Sequence, residues 1–191
     1  VYRGKFYWFW GDTNRLSYPL GLFRTAGAVS SLPGTEGFDP GSGIELRYFT
    51  VHDGFARAMA DVANKEGVVW IHGVTVVTDE HGQARMVCQY SRRRGLSEPL
   101  EQGHMVWNDV TETFEVLETL SLQETWRQLR DHPVHIVHAD RDYLYFGNPF
   151  PVTRVPATLA AIRDREAYES LTCVKRIHGD DGEKPELDRD A

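Results

Sequence analysis

The sequence predicts an all-β fold with short helices confined to its loops, built from four-stranded antiparallel sheets fanned like the blades of a propeller. Three observations lead there. First, five consecutive aromatics, Phe6 to Trp10, run into Gly11-Asp12-Thr13-Asn14-Arg15. Strand alternation puts Phe6, Trp8, Trp10 and Asp12 on one side and Tyr7, Phe9 and Thr13 on the other. Both sides are aromatic, so both need protein cover. Second, short runs rich in β-branched and aromatic residues recur between Gly, Pro and Asp punctuation. Third, YWFWGDT at residues 7–13 is echoed by MVCQYSR at 86–92 and YLYFGNP at 143–149, at spacings of about 80 and about 57 residues. Propellers typically close with four to eight blades, so three units over 1–67, 68–130 and 131–177 form part of a ring. The charged tail 178–191 is expected to enter a further blade, and the remainder of the propeller to lie outside this chain.

Taken in order, strands are expected near 5–11, 26–32, 44–50, 74–79, 84–91, 104–108, 114–119, 134–139, 142–147 and 170–175. Residues 33–43 read as a Gly/Pro-rich loop. Thr78 to Gly82 is a hairpin turn, and Asp140-Arg141-Asp142 another. Helical pattern is limited to 121–130 and 157–168.

Composition narrows the function classes. The 191 residues are 41% hydrophobic and 12% aromatic, with net charge −7, which describes a folded domain. The acidic balance argues against nucleic acid, whose phosphates require a basic footprint; Arg92-Arg93-Arg94 reads as a solvated turn. No apolar run reaches the roughly 18 residues of a membrane span. Cys88 and Cys173 lie in apolar strand contexts and are expected as buried free thiols.

The stretches WFWGDTN, WIHGVTVV, ARMVCQYSR and YLYFGNPFPVTRV resemble a group of large, poorly characterised bacterial proteins. These are similar to the five-bladed β-propeller glycosidase superfamily that includes arabinanases and β-fructosidases, and the resemblance spans roughly residues 1–175. It implies five blades, a periplasmic or secreted location, and a carbohydrate ligand at one mouth of the central tunnel. On the blade reading, second-strand ends bring Asp12, Ser91-Arg92 and Asn148 to that mouth, and inner-strand starts bring His72 and His132.

Glycoside hydrolysis needs two carboxyl groups, about 5–5.5 Å apart for retention or about 6.5–9.5 Å for inversion. Asp12 is the candidate base or nucleophile, against an Asx turn as its plain structural role. Asp53 and Asp131 are candidate acids; Asp109 and Asp140 suit turns, and Glu98 and Glu101 a solvated loop. Where arabinanases place carboxylates at inner-strand starts, this chain offers His72 and His132, so hydrolysis and simple binding both stay open. Trp10, Asn14, Arg15, Trp70, His72, Arg92, His132 and Asn148 are expected to bind sugar hydroxyls or an anionic substituent. Trp10 and Trp70 would act as stacking platforms, while Trp8 and Trp107 pack between blades. No cofactor is expected. A metal is not expected either: His132, His135 and His138 cannot converge on one ion, because on a strand His132 and His138 lie about 20 Å apart. His138 and Asp140 share a face and could pair. The rival reading is a non-catalytic carbohydrate-binding or protein-interaction propeller.

Overall fold

The computed structural model describes residues 1–11, 24–35, 38–39, 41, 43–62, 66–147 and 150–171. Asp12, Asn14, Arg15, Asn148 and Cys173 lie outside these residues, as does the tail 178–191. The described chain is all-β, in antiparallel sheets that follow one another along the sequence. The first sheet joins β1 (Phe6–Trp10), β2 (Ala26–Ser30) and β5 (Arg47–Tyr48), with β3 (Phe38–Asp39) and β4 (Gly43–Ile44) forming a separate small ribbon. The central sheet is an up-and-down meander of β6 (Val68–Thr78), β7 (Ala84–Arg94), β8 (Glu98–Asn108) and β9 (Thr113–Leu120). The third contains β10 (Val134–His138), β11 (Arg141–Phe146), β12 (Thr153–Pro156) and β13 (Glu169–Ser170). Its last connection carries a short helix, α1 (Leu159–Arg163), capped by the Thr158 side chain.

Local chemistry explains the hairpins. Between β6 and β7, the Asp79 carboxylate accepts from the backbone N–H of His81 and of Gln83, and Gly82 takes the left-handed φ of +72°. Between β10 and β11, Ala139 and Asp140 both have positive φ, 48° and 60°. Two successive left-handed residues make the type I′ turn that matches strand twist, so Asp140 serves the turn as expected.

The central sheet is covered on both faces. Met86, Cys88, Tyr90, Met105, Trp107 and Phe114 point one way, into a cluster with Tyr7, Phe9, Val29 and Phe49 of the first unit. Trp107 is 1% exposed, and its ring meets Tyr7 at 5.3 Å, Phe9 at 6.0 Å and Phe114 at 5.2 Å between centroids. Such edge and tilted contacts add about 0.5–1.5 kcal/mol each beyond the area they bury. Val77, Val87 and Val106 point the other way, into a second cluster with Leu144, Phe146, Val155 and Ile162 of the third unit. Trp107 therefore packs between the central sheet and the first sheet. Trp8 differs: it is half-buried, and its indole N–H donates to Ser30 Oγ at 2.9 Å. Cys88 is buried and free, its thiol pushed well up by burial.

Several expectations are corrected. Residues 121–130 are not helical but turns and irregular backbone. Their carbonyls are used laterally: Gln102 donates to Ser121 O and Glu124 O, and a ring nitrogen of His104 lies 3.0 Å from Arg127 O. A helix would have spent those carbonyls on itself. Within 157–168 only Leu159–Arg163 is α-helical, followed by a 3₁₀ turn over Arg165–Ala167. β12 was not anticipated, and β6, β7 and β8 each extend to 11 residues. The extension turns Glu98 and Glu101 from loop into strand. It also makes Arg92 to Arg94 a strand end rather than a turn. Among the described residues the His138 and Asp140 side chains make no hydrogen bond with each other; the pair that forms is His135 with Asp142, at 2.8 Å.

Candidate functional site

Register assigns the side chains of the central sheet to faces. Trp70 pairs with Ser91 and His72 with Gln89 across β6 and β7, and those two pair onward with Gln102 and His104 of β8. Directly paired residues share a face. Trp70, His72, Gln89, Ser91, Gln102 and His104 therefore form a polar region on the face whose other end, Val77, Val87 and Val106, is apolar.

Polar satisfaction changes across this region. Toward β9 the polar groups are mostly partnered, Arg127 Nε being the exception. His104 is fully buried, with Nδ1 2.9 Å from Glu118 Oε1; Arg127 donates to the same carboxylate at 3.1 Å and to the carbonyls of Ile162 and Arg163. Burial tends to raise the Glu118 carboxyl, but His104 and Arg127 outweigh it and the net shift is downward. Toward β6 the pattern reverses. Trp70 Nε1, Gln89 Oε1 and Ser91 Oγ are buried with no hydrogen-bond partner. Gln89 and Ser91 are 4% and 8% exposed. An unpaired buried polar group costs about 1–3 kcal/mol, and native proteins keep few of them. Three on adjoining positions mark a place with hydrogen-bonding capacity to offer: one donor, one acceptor and one hydroxyl that does both.

His72 borders this cluster. It retains an exposed surface, but desolvation by the protein packed around it holds the imidazole below its usual range; Arg93 and Arg130 push the same way and Asp131 opposes them. The backbone beside it is tightly fixed. Gly73, at φ +56°, donates its N–H to Asp131 O at 3.1 Å, and a Cβ there would lie 1.7 Å from Leu129 O. The ladder shifts between His72 and Thr75, a β-bulge of the kind that re-aims side chains. Because Thr75 pairs with Val87 and His72 with Gln89, residues three apart point to the same side.

The predicted site residues divide. The end of β1 does approach β6, since a Cβ on Gly11 would sit 4.0 Å from Trp70 Cδ1. Trp10 stacks on Tyr48 at 5.8 Å and 27°, on the aromatic face of the first sheet turned away from the central core. His72 lies beside the Arg130–Asp131 turn. His132 follows that turn and is exposed, with no hydrogen bond to the others among the described residues. Arg92 is on the opposite face from Trp70. It donates to Glu66 O at 2.6 Å and to Glu101 Oε2 at 3.1 Å, while Tyr90 O–H donates to the other oxygen of that carboxylate at 2.7 Å. Its guanidinium thus serves an internal ion pair instead of the rim. Asp53 closes a local turn by accepting from Phe55 N–H at 2.9 Å. Asp109 accepts from Tyr2 O–H at 3.0 Å and pairs with Arg3. Ser91 is expected at the site from its place beside Arg92, but Gln89 is not. The alternation of 84–91 was visible, but it does not say which residues of another strand lie opposite. Among the described residues no three His, Cys, Asp or Glu side chains converge as metal ligands, and no helix is long and apolar enough to cross a membrane.

No protein-family model matches the chain, and no match was found among curated proteins.

Proposed function

We propose that this chain is a segment of a β-propeller of the glycosidase type that binds a saccharide beside the start of β6. The observation that carries the reading is the row of Trp70 Nε1, Gln89 Oε1 and Ser91 Oγ, unpartnered and buried next to His72. Sugar hydroxyls both donate and accept, so a saccharide edge can satisfy a donor, an acceptor and a hydroxyl together. The Trp70 ring adds a flat apolar surface for the C–H face of a pyranose or furanose. The propeller arrangement is supported by a central sheet sandwiched between two clusters and by linear meander order.

Binding is the core of the proposal, and hydrolysis is its stronger form. Asp131, close enough to His72 to influence its charge, is the carboxyl to test for that form. A glycan array should give retained saccharides with the wild type. Trp70→Phe, which keeps the ring and removes the N–H, should weaken the best of them about 10-fold, the value of one hydrogen bond near 1.4 kcal/mol. Gln89→Leu should do likewise. Equal binding by both variants and the wild type would remove this cluster from the site. Turnover lost in Asp131→Asn with binding retained would support the enzyme, and absence of turnover in the wild type would leave a binder.

A further inference from the structure

A second constellation lies where the central and third sheets meet, distinct in its residues from the saccharide cluster and independent of that reading. Thr75 Oγ1 is 3.1 Å from His135 Nε2, and His135 Nδ1 is 2.8 Å from Asp142 Oδ2. The hydroxyl is on one ring nitrogen and the carboxylate on the other. That is the order of contacts by which a general base, oriented by an acid, activates an alcohol nucleophile. We propose that Thr75, His135 and Asp142 form a hydroxyl–imidazole–carboxylate relay that accepts a small acyl group from an ester and passes it to water.

The supporting frame is rigid on both sides. Thr75 follows the bulge at Gly73–Val74, whose backbone is pinned by the contact of Gly73 with Asp131. Thr78 N–H donates to Ala157 O at 3.1 Å and Ala157 N–H to Asp142 O at 2.9 Å, so β6 is tied to the strand that carries the carboxylate. His135, opposite Leu144, and Asp142, opposite Val137, are diagonal neighbours on one face of the hairpin closed by the type I′ turn. Accessibility selects the substrate class. Thr75 is 7% exposed, whereas the His135 and Asp142 side chains keep 41% and 47% of their surface. The ring is open to solvent, and only a compact acyl group such as acetyl reaches the oxygen beside it.

The step balances without a further reagent. Thr75 Oγ1 forms a bond to the ester carbonyl carbon while its proton passes to His135 Nε2. The bond from that carbon to the leaving oxygen then breaks, and the leaving group takes the Nε2 proton or departs as a stable anion while the ring releases the proton to solvent. Water next gives a proton to Nε2 as its oxygen attacks the acyl carbon; the bond from that carbon to Thr75 Oγ1 then breaks, Oγ1 takes back the Nε2 proton, and the carboxylic acid leaves. Asp142 touches no reacting atom; it is a positioning residue that fixes the Nδ1–H tautomer.

The 191-residue chain with p-nitrophenyl acetate tests this. Expected are release of p-nitrophenolate and an acetyl adduct that peptide mass mapping places on Thr75. Thr75→Val, close in shape, should abolish the adduct, and Thr75→Ser should retain it. Asp142→Asn should slow acylation by at least about 100-fold, in line with the loss of the orienting carboxylate in such relays. A far-downfield proton resonance from the Nδ1–H bridge should be present in the wild type and in Thr75→Val, which verifies an intact fold, and absent in Asp142→Asn. No adduct on Thr75 in the wild type, an adduct confined to Lys5 or other amines, or an unchanged rate in Thr75→Val would each overturn the proposal.

Discussion

The two faces of the central sheet are made by the same strands and differ in nearly everything else. One face is apolar over Met86, Cys88, Tyr90, Met105, Trp107 and Phe114, where it meets an equally aromatic partner in the first sheet, and carries the Arg92–Glu101 ion pair toward one end. The other begins with Trp70, His72, Gln89 and Ser91, passes through the buried His104–Glu118–Arg127 network, and becomes apolar only near Val77, Val87 and Val106. Because alternation assigns each residue to one face or the other, each strand can tune stability on one set of alternate positions and chemistry on the other without conflict. Unpartnered buried polar atoms gather at the Trp70, Gln89 and Ser91 end, whereas Arg127 Nε and Arg85 Nε stand singly elsewhere on this side, and the gathering is what a ligand has to gain from.

The largest separation of the two faces should come from Trp107→Ala. Removing this ring empties the centre of the first cluster and should cost about 3–5 kcal/mol, read as a lower midpoint in urea at unchanged m-value. Saccharide affinity of the remaining folded fraction should be unaffected, since Trp107 is on the far side of the sheet. A cost below about 1 kcal/mol would mean that the aromatic cluster is looser than its ring contacts indicate.

Gly73→Ala probes the joint between the faces. The added Cβ would press on Leu129 O in a left-handed backbone, and strain of this kind costs about 1–3 kcal/mol before the clash is relieved. Both the saccharide cluster and Thr75 depend on the bulge, so binding should be lost along with stability. If the variant is as stable as wild type, the bulge is not fixed by the 129–131 turn.

How much of this was readable in advance follows from the physics of each feature. The two hairpin turns were legible because Asp79, Gly82 and Asp140 act locally. The core role of Trp107 and the buried Cys88 were legible because period-two alternation carries over from sequence to face. The failed helix at 121–130 was not, because its carbonyls are claimed by Gln102 and His104, whose position opposite depends on tertiary packing. Its place at a strand end points Arg92 to the rim. What decides its role is Glu101 on the next strand, and register is invisible in a single strand. The bulge that turns His72 and Thr75 to one side escaped for the same reason.

The buried network should announce itself in acid. Glu118 titrates below its usual value in the folded chain, so the unfolded chain binds its proton more readily. Its contribution is fully present above the ordinary glutamate pKa of about 4.3 and is lost as pH falls through the lower folded value. Glu118→Gln should therefore flatten part of the acid limb of stability against pH, seen as a smaller difference in urea midpoint between pH 6 and pH 3.5. An unchanged acid limb would place the sensitivity in other carboxylates, such as Asp79, which is also shifted downward.

The smallest effect expected belongs to His72, and it sharpens the contrast because it acts at the open end of the polar face. Its folded pKa is lowered by desolvation and by the nearby positive charges of Arg93 and Arg130. Here the unfolded ring is the one that takes the proton first, at about 6.5. The neutral ring's contribution is thus whole above that value and falls away as pH drops below it. At neutral pH the ring is uncharged and can both donate and accept toward a hydroxyl. Saccharide affinity should accordingly be level between pH 8 and pH 7 and decline only in mild acid, while His72→Gln should remove the decline and leave the level portion within a few-fold of wild type. Should affinity instead rise as the pH is lowered toward 6, the protonated ring would be the binding form, and the ligand facing the Arg93, Arg130 and His72 side of the cluster would be an anion.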